Sequence, residues 1–168
     1  MQVFMKHILL LLNIFIAFYW TALAELGAKQ VDLFILSWPH GMDFEKGKEL
    51  WKAMESLVDS CKAYSLGISD IEIQEFIELH HFAKVKPEVI QINLESCCVV
   101  PPELVTFTRE NSIQLLTHND PQNILPNETF KTIVSSLVNV HWTVRYQTLL
   151  RCRGIIKNKG YIINAERD

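Results

Sequence analysis

Hydrophobic and polar positions change period several times along this chain. Val31-Asp-Leu-Phe-Ile-Leu36 is a short apolar run of the kind buried on both faces of a parallel sheet. Ser37-Trp-Pro-His-Gly41 breaks it. From Glu45 to Lys62, Leu50, Met54, Leu57, Val58 and Cys61 recur at helical spacing with charges between them. Ala63-Tyr-Ser-Leu-Gly-Ile-Ser69 predicts the next strand. Asp70 then reads as the N-cap of a helix from Ile71 to Ala83, whose apolar stripe is Ile73, Phe76, Ile77 and Phe82. A third strand follows at Val89–Asn93, a third helix at Pro101–Asn111 and a fourth strand at Ile113–Thr117. A looser helix is predicted from Asn127 to Val138. Upstream, Ala24–Lys29 reads as a helix end stopped by Gly27. This alternation is an α/β signature, and right-handed crossovers make the four strands parallel.

The tail departs from that rhythm. Tyr146 to Ala165 alternates apolar and basic residues around Lys157-Asn-Lys-Gly160, which reads as a hairpin or an extended basic strand pair. Arg145, Arg151, Arg153, Lys157 and Lys159 form a basic cluster with no acid among them. Interleaved Leu149, Leu150, Ile155, Ile156, Tyr161, Ile162 and Ile163 suit strand addition or a flat apolar contact with an acidic surface. Arg151, Arg153, Lys157 and Lys159 are therefore the partner-binding candidates. A barrel-closing strand pair with solvated charges is the simpler alternative.

Composition narrows the function classes. At 168 residues the chain holds one good core but is short for a complete (β/α)8 barrel, which typically needs about 250. A net charge of −3 and a pI near 6.1 give no electrostatic case for nucleic acid. Cys61, Cys97, Cys98 and Cys152 include no CxxC pair and no histidine at metal-ligand spacing, so no metal site is expected. Cys97 and Cys98 read as reduced thiols at a strand end, with redox sensing or an intersubunit disulfide left open. His80 and His81, neighbours on a helix, project about 100° apart and cannot converge on one ion. Glu72, Glu75 and Glu78 read as a solvated acidic face. His118-Asn-Asp120 is either a polar site at a strand end or, the preferred reading, a structural turn bonded to nearby backbone. No G-x-G-x-x-G or Walker pattern is present to cradle ATP.

Residues 1–24 form a separate apolar segment ahead of the domain at residues 25–168. One Lys and one His precede an uncharged run of 17 residues from Ile8 to Ala24, ending Ala22-Leu-Ala24. Three readings stand open: a secretory signal or membrane anchor, a non-native start, and a buried apolar helix. The sequon Asn127-Glu-Thr129 fits secretion but is a common tripeptide. Cytoplasmic location is the expectation, with a secreted or membrane-anchored protein as the alternative; membrane contact requires the segment to be native.

Three stretches carry a more specific message. They are Gln91-Ile-Asn-Leu-Glu-Ser-Cys-Cys-Val-Val-Pro-Pro-Glu-Leu104, Ile113-Gln-Leu-Leu-Thr-His-Asn-Asp-Pro121 and Arg153-Gly-Ile-Ile-Lys-Asn-Lys-Gly-Tyr161. Together they resemble the regulatory (modifier) subunit family of glutamate–cysteine ligase, from about Ala22 to Asp168. That family has an aldo-keto-reductase-like barrel without a working reductase site. The resemblance implies a partial parallel (β/α) barrel lacking the first strands, with Val31–Leu36 as an exposed sheet edge and low stability for the isolated chain. It implies no catalytic residues, no cofactor, and one partner, the ligase catalytic subunit, held in a heterodimer through the C-terminal region. Val31–Pro39, Leu66–Asp70 and Val89–Asn93 resemble the fourth, fifth and sixth strands of aldo-keto reductases. Those enzymes use Tyr, Lys, Asp and His; the His belongs where this chain has Ser37, and no strands bearing the others precede Val31. Ser69, Asp70 and Gln91 match positions that hold the nicotinamide of NADPH. Ser69 and Gln91 keep suitable types while Asp70 stands where Asn is usual, so Ser69 and Gln91 count as weak remnants. An NADPH-dependent reductase is the competing expectation.

Overall fold

The computed structural model of the chain describes residues 2–6, 12–38, 41–94, 99–121, 129, 132, 138–150 and 155–167. Its strands are β1 (Gln2–Lys6), β2 (Val31–Ser37), β3 (Ala63–Ser69), β4 (Val89–Asn93), β5 (Gln114–His118), β6 (Val138–Leu150) and β7 (Ile155–Arg167). The helices are α1 (Leu12–Glu25), α2 (Phe44–Asp59), α3 (Ile73–Phe82) and α4 (Pro102–Glu110). All strands join one sheet in the order β5-β4-β3-β2-β1-β6-β7. The first five strands are parallel, while β6 runs antiparallel to β1 and β7 antiparallel to β6. The α/β architecture with parallel strands alternating with helices is thus the expected one.

The sheet's two faces have different partners. Phe34, Leu36, Leu66, Ile68 and Ile90 face the helices and pack with Tyr19, Leu23, Trp51, Met54, Phe76 and Leu79. The opposite face is a thinner cluster of Leu33, Ile35 and Val89, with Leu116 against it. Register places Gly67 between Ile35 and Val89 on that face. A Cβ at Gly67 would stand 3.0 Å from the Val89 carbonyl oxygen, so only glycine lets these strands fill the layer without displacement.

The sheet is curled. β6 lies five strand positions from β5, about 24 Å across a flat sheet at 4.8 Å per strand. Yet Arg145 on β6 and Asp120, just past β5, make a 2.5 Å ion pair. An arginine side chain spans only about a third of that distance. Inward curvature of the barrel kind brings them together.

Local rules explain the helix ends. Gly27, at φ +59°, stops α1: its N–H donates to the Ala24 carbonyl at 3.0 Å and the Ala28 N–H to the Leu23 carbonyl at 3.0 Å, a Schellman pattern. The Asp43 carboxylate caps α2 by accepting from the Glu45 N–H at 3.0 Å. Glu55, buried on α2, accepts from the N–H groups of Lys84 and Val85 at 2.7 and 3.0 Å. Trp51 of the same helix donates to the Val85 carbonyl at 3.1 Å, so α2 fixes the chain leaving α3.

Three expectations need correction, and a fourth had two readings. β2 is not an edge, because β1 pairs with it through Gln2↔Leu33 to Met5↔Leu36, and β3 takes its other side. Asp70 is not the N-cap of α3; Glu72 holds that position without a side-chain cap bond. The tail is an antiparallel strand pair, as one of its two readings had it: Lys157–Gly160 lie within β7, and β6 and β7 pair from Val138↔Arg167 to Leu150↔Ile155. Gly160 lies opposite Tyr146, whose hydroxyl would be 2.8 Å from a Cβ there. Finally, Val138 begins β6 rather than ending a helix; most of the segment from Asn127 falls outside the described residues.

Within the apolar head, Gln2–Lys6 form β1 and Leu12–Glu25 form α1, whose Tyr19, Ala22 and Leu23 are buried. The Tyr19 ring meets Phe34 edge-on at 5.2 Å, and its hydroxyl donates to the Lys62 carbonyl. Among the described residues no helix is long and apolar enough to cross a membrane.

Candidate functional site

The parallel strands end together on one rim, where polar residues gather on the inner face. Register aligns Ser37 with Ser69, Ser69 with Gln91, and Asn93 with His118. Alternation would send Asp70 to the other face. Its φ of +60°, a left-handed conformation that Asp tolerates better than most residues, turns it back over the rim. The Asp70 N–H still donates to the Gln91 carbonyl at 3.1 Å, and the Trp38 N–H donates to the Ser69 carbonyl at 2.7 Å. The strand ends therefore stay laced while the carboxylate points inward.

The Asp70 carboxylate is the hub. Oδ2 accepts from the Ser37 and Ser69 hydroxyls at 3.2 and 3.3 Å, and Oδ1 lies 2.8 Å from His118 Nε2. The Asp120 N–H donates to His118 Nδ1 at 3.2 Å. The same Nδ1 lies 3.4 Å from Asp120 Oδ2, so the ring stands between the Asp70 and Asp120 carboxylates. Asp120 continues the network through its carboxylate to Arg145, while its carbonyl accepts from Asn93 Nδ2 at 2.8 Å. The His118 side chain is 5% exposed and that of Asp70 13%. This is a closed, mostly buried relay from Arg145 through Asp120 and His118 to Asp70.

Such an arrangement holds charge; it does not offer a free base. Both imidazole nitrogens of His118 are engaged, Nε2 by Asp70 and Nδ1 by Asp120, so neither is directed at a substrate. Ser37 is a hydroxyl donor, as expected from its position, and its recipient is Asp70. Gln91 is the exception on this rim: Nε2 makes only a 3.5 Å contact with the Thr117 carbonyl, and the buried Oε1 has no hydrogen-bond partner. A nicotinamide carboxamide needs both a donor and an acceptor from its cradle. With Ser69 donating to Asp70 and Asp70 in turn taking His118, Gln91 is the member of this trio that keeps both an open acceptor, Oε1, and a weakly held donor, Nε2.

Of the two readings of His118-Asn-Asp120, the geometry carries the polar site at the strand end: the Asp120 carboxylate meets Arg145, while its N–H keeps a local bond to the His118 ring. Asp70 and His118 were both visible as polar residues beside predicted strand ends. Arg145 gave no such signal, since only the curl of the sheet carries it to the rim.

The other candidates lie apart. Lys157 and Lys159 are exposed on β7; Arg151 and Arg153 fall outside the described residues, as do Cys97, Cys98, Cys152 and Asn127. Cys61 is exposed and unbonded. The His80 and His81 rings sit edge-on at 6.0 Å, and among the described residues no group of three or more metal-ligating side chains converges. Burial first, then the charges of Lys86 and His81, holds the His80 imidazole pKa below its ordinary value. Glu72 and Glu78 are exposed, and Glu78 meets Lys48 at 3.3 Å.

Comparison with known proteins agrees with this geometry. A profile of the Aldo/keto reductase family matches residues 20–119. The glutamate–cysteine ligase regulatory subunits of mouse and human are each 37% identical over 159 residues, which cover 87% of this chain and 58% of the relative. A fission yeast protein called a putative glutamate–cysteine ligase regulatory subunit is 29% identical over 124 residues, covering 70% of this chain and 43% of its own length. Among solved structures, an aldo/keto reductase from Brucella melitensis superposes with a TM-score of 0.54 at 24% identity, covering 71% of this chain and 46% of that one. That likeness bears on the fold alone.

Proposed function

The chain belongs to the aldo/keto reductase family, and we propose that it acts as a non-catalytic regulatory subunit of glutamate–cysteine ligase, binding the catalytic subunit in the cytoplasm. The observation that carries this reading is the similarity to named regulatory subunits along 87% of the chain. The chain spans 58% of the length of those relatives. The rim supports the reading chemically. Where reductases of the family resemblance carry a titrating His, Ser37 donates to Asp70, and the rim imidazole His118 is held at both nitrogens. Regulation needs no chemistry from such a rim. It needs a surface whose docking favours one state of the partner, a coupling of about 1–3 kcal/mol in typical cases.

Co-purification with the ligase catalytic subunit, followed by steady-state kinetics, tests the proposal. Adding the chain should lower the KM for glutamate and weaken inhibition by glutathione. A catalytic subunit whose kinetics are unchanged by saturating chain would sink it. Family membership, with the unpaired Gln91 Oε1, favours a second reading as an NADPH-dependent carbonyl reductase. Carbonyl-dependent oxidation of NADPH by the purified chain, abolished by Gln91→Ala, would establish that instead.

A further inference from the structure

The tip of the β6–β7 ribbon and an open cleft lie at the same end of the sheet. β6 runs against the parallel strands, and its Gln147 pairs with Gln2, which pairs with Leu33 near the start of β2. From Thr148 to Leu150 the strand continues past that N-terminal end, by about 10 Å of extended chain. β7 begins there at Ile155, and every residue from Ile155 to Lys159 is exposed. Thr148 pairs with Asn158 and Leu149 with Ile156, so Lys157 is the extra residue of a bulge. Ile155 and Ile156 are 52% and 49% exposed. Two-stranded ribbons are marginal in water without a covered face, and apolar groups gathered at such a tip mark a place of contact.

The cleft lies among the first residues of β2, β3, β4 and β5 and measures about 520 Å³, within the range of about 300–1,000 Å³ usual for binding sites. Asp32 and Glu88 line it with carboxylates, and Tyr64 with a ring that is 73% exposed. Lysines on the neighbouring loops are engaged elsewhere. Lys62 stands over the Trp20 ring at 4.5 Å, Lys84 pairs with Asp59 at 3.4 Å, and Lys86 donates to the His80 and His81 carbonyls. The cleft therefore keeps its negative character. Among the described residues no ion pair joins Glu88, Lys157 or Lys159 to another side chain.

Charge and placement select the occupant. Lys157 and Lys159 are the only charged residues from Ile155 to Ala165. The tip is thus cationic and apolar where the cleft is anionic and aromatic. In its own chain the ribbon is pinned to β1 from Thr143 to Gln147, and its tip runs out past the strand ends. A second copy, turned about a two-fold axis at this end, brings each tip to the other's cleft and makes the contact twice. We propose that two copies of the chain pair in this way. Each lays Lys157 and Lys159 against the Asp32 and Glu88 carboxylates of the other, with Ile155 and Ile156 on Tyr64. The pairing stands apart from the regulatory reading and needs no catalytic subunit.

Sedimentation equilibrium of the purified full chain tests it. Wild type should be a dimer in the micromolar range. Lys157→Glu with Lys159→Glu, and separately Glu88→Lys, should each weaken self-association at least about tenfold, as like charges do at a docked face. All three side chains are exposed, so far-UV circular dichroism should show an unchanged fold. The decisive sample is an equimolar mixture of the two variants. There the reversed ribbon meets the reversed cleft, while the native ribbon meets the native cleft. A mixed dimer should form at least about tenfold more tightly than either variant pairs with itself. A wild-type chain that stays monomeric throughout that range overturns the pairing. A dimer that survives both reversals, or one lost only in the ribbon variant, overturns the cleft as its seat. A mixture that associates no better than its components does the same.

Discussion

Gly47 on α2 lies directly beneath the indole of Trp38. A Cβ built on Gly47 would stand 2.1 Å from Trp38 Cη2 and 2.4 Å from Cζ2. Propensity alone says that Gly47→Ala should stabilise a helix interior by about 1 kcal/mol. The structure reverses the sign. Trp38 is 5% exposed and also packs on Phe44 at 6.1 Å, so the methyl group can be accommodated only by driving the indole out of its site. Removing a buried Trp or Phe side chain costs about 3–5 kcal/mol, and overpacking costs about 1–3. Subtracting the propensity gain from the cost of an expelled indole leaves a net loss of about 2–4 kcal/mol, or a Tm lower by about 4–16 °C for a chain of this size. Urea unfolding followed by far-UV circular dichroism reads the loss, and tryptophan fluorescence reads the indole's exposure. Trp38→Leu should remove the clash, so a double-mutant cycle should show Gly47→Ala nearly neutral or stabilising in that background. A single Gly47→Ala variant more stable than wild type would refute the packing argument, because it would mean the indole does not rest on the glycine.

Other consequences are more local. Glu55→Ala strands the Lys84 and Val85 N–H groups that its buried carboxylate accepts, and should cost about 2–4 kcal/mol in urea unfolding, against less for Glu55→Gln, which keeps an acceptor. A double-mutant cycle of Asp120→Asn and Arg145→Gln should give a coupling of about 1–3 kcal/mol, and one near zero would detach β6 from the rim. The His80 pKa is lowered by burial, Lys86 and His81, so the folded chain resists protonation that the unfolded chain accepts. Its contribution to stability is therefore present above the ordinary His value of about 6.5 and is lost as pH falls through the folded value. Unfolding at pH 7.5 and 5.5 should show a smaller acid-side loss in His80→Gln than in wild type.

Strands and helices were legible in the sequence wherever one period ran unbroken. Val31–Leu36 and Ala63–Ser69 became β2 and β3 because continuous apolar runs bounded by polar breaks have few other homes, and Gly27 ended α1 through the conformation expected of it. Misreadings fall where one residue serves two rules. Asp70 has the side chain of an N-cap and stands just before α3, yet its left-handed φ gives the carboxylate to two serines and a histidine. A cap is worth about 1 kcal/mol, whereas an inner rim with buried hydroxyls and an imidazole but no acceptor would leave several donors unsatisfied at about 1–3 kcal/mol each. Satisfying the rim outweighs capping the helix. Glycine beside Lys and Asn usually marks a turn, which left a hairpin and an extended strand pair both open for the tail. In the ribbon Gly160 is the small residue that Tyr146 covers. Nothing local in the sequence marks Lys157 as a bulge, since a bulge is a property of two strands rather than one. The same holds for Arg145, whose role at the rim requires the sheet to curl. Arg145 pairs across the ribbon with Tyr161 and reaches Asp120 with its side chain. The rim network and the ribbon are therefore joined through one backbone pair, a connection that only long-range geometry can make.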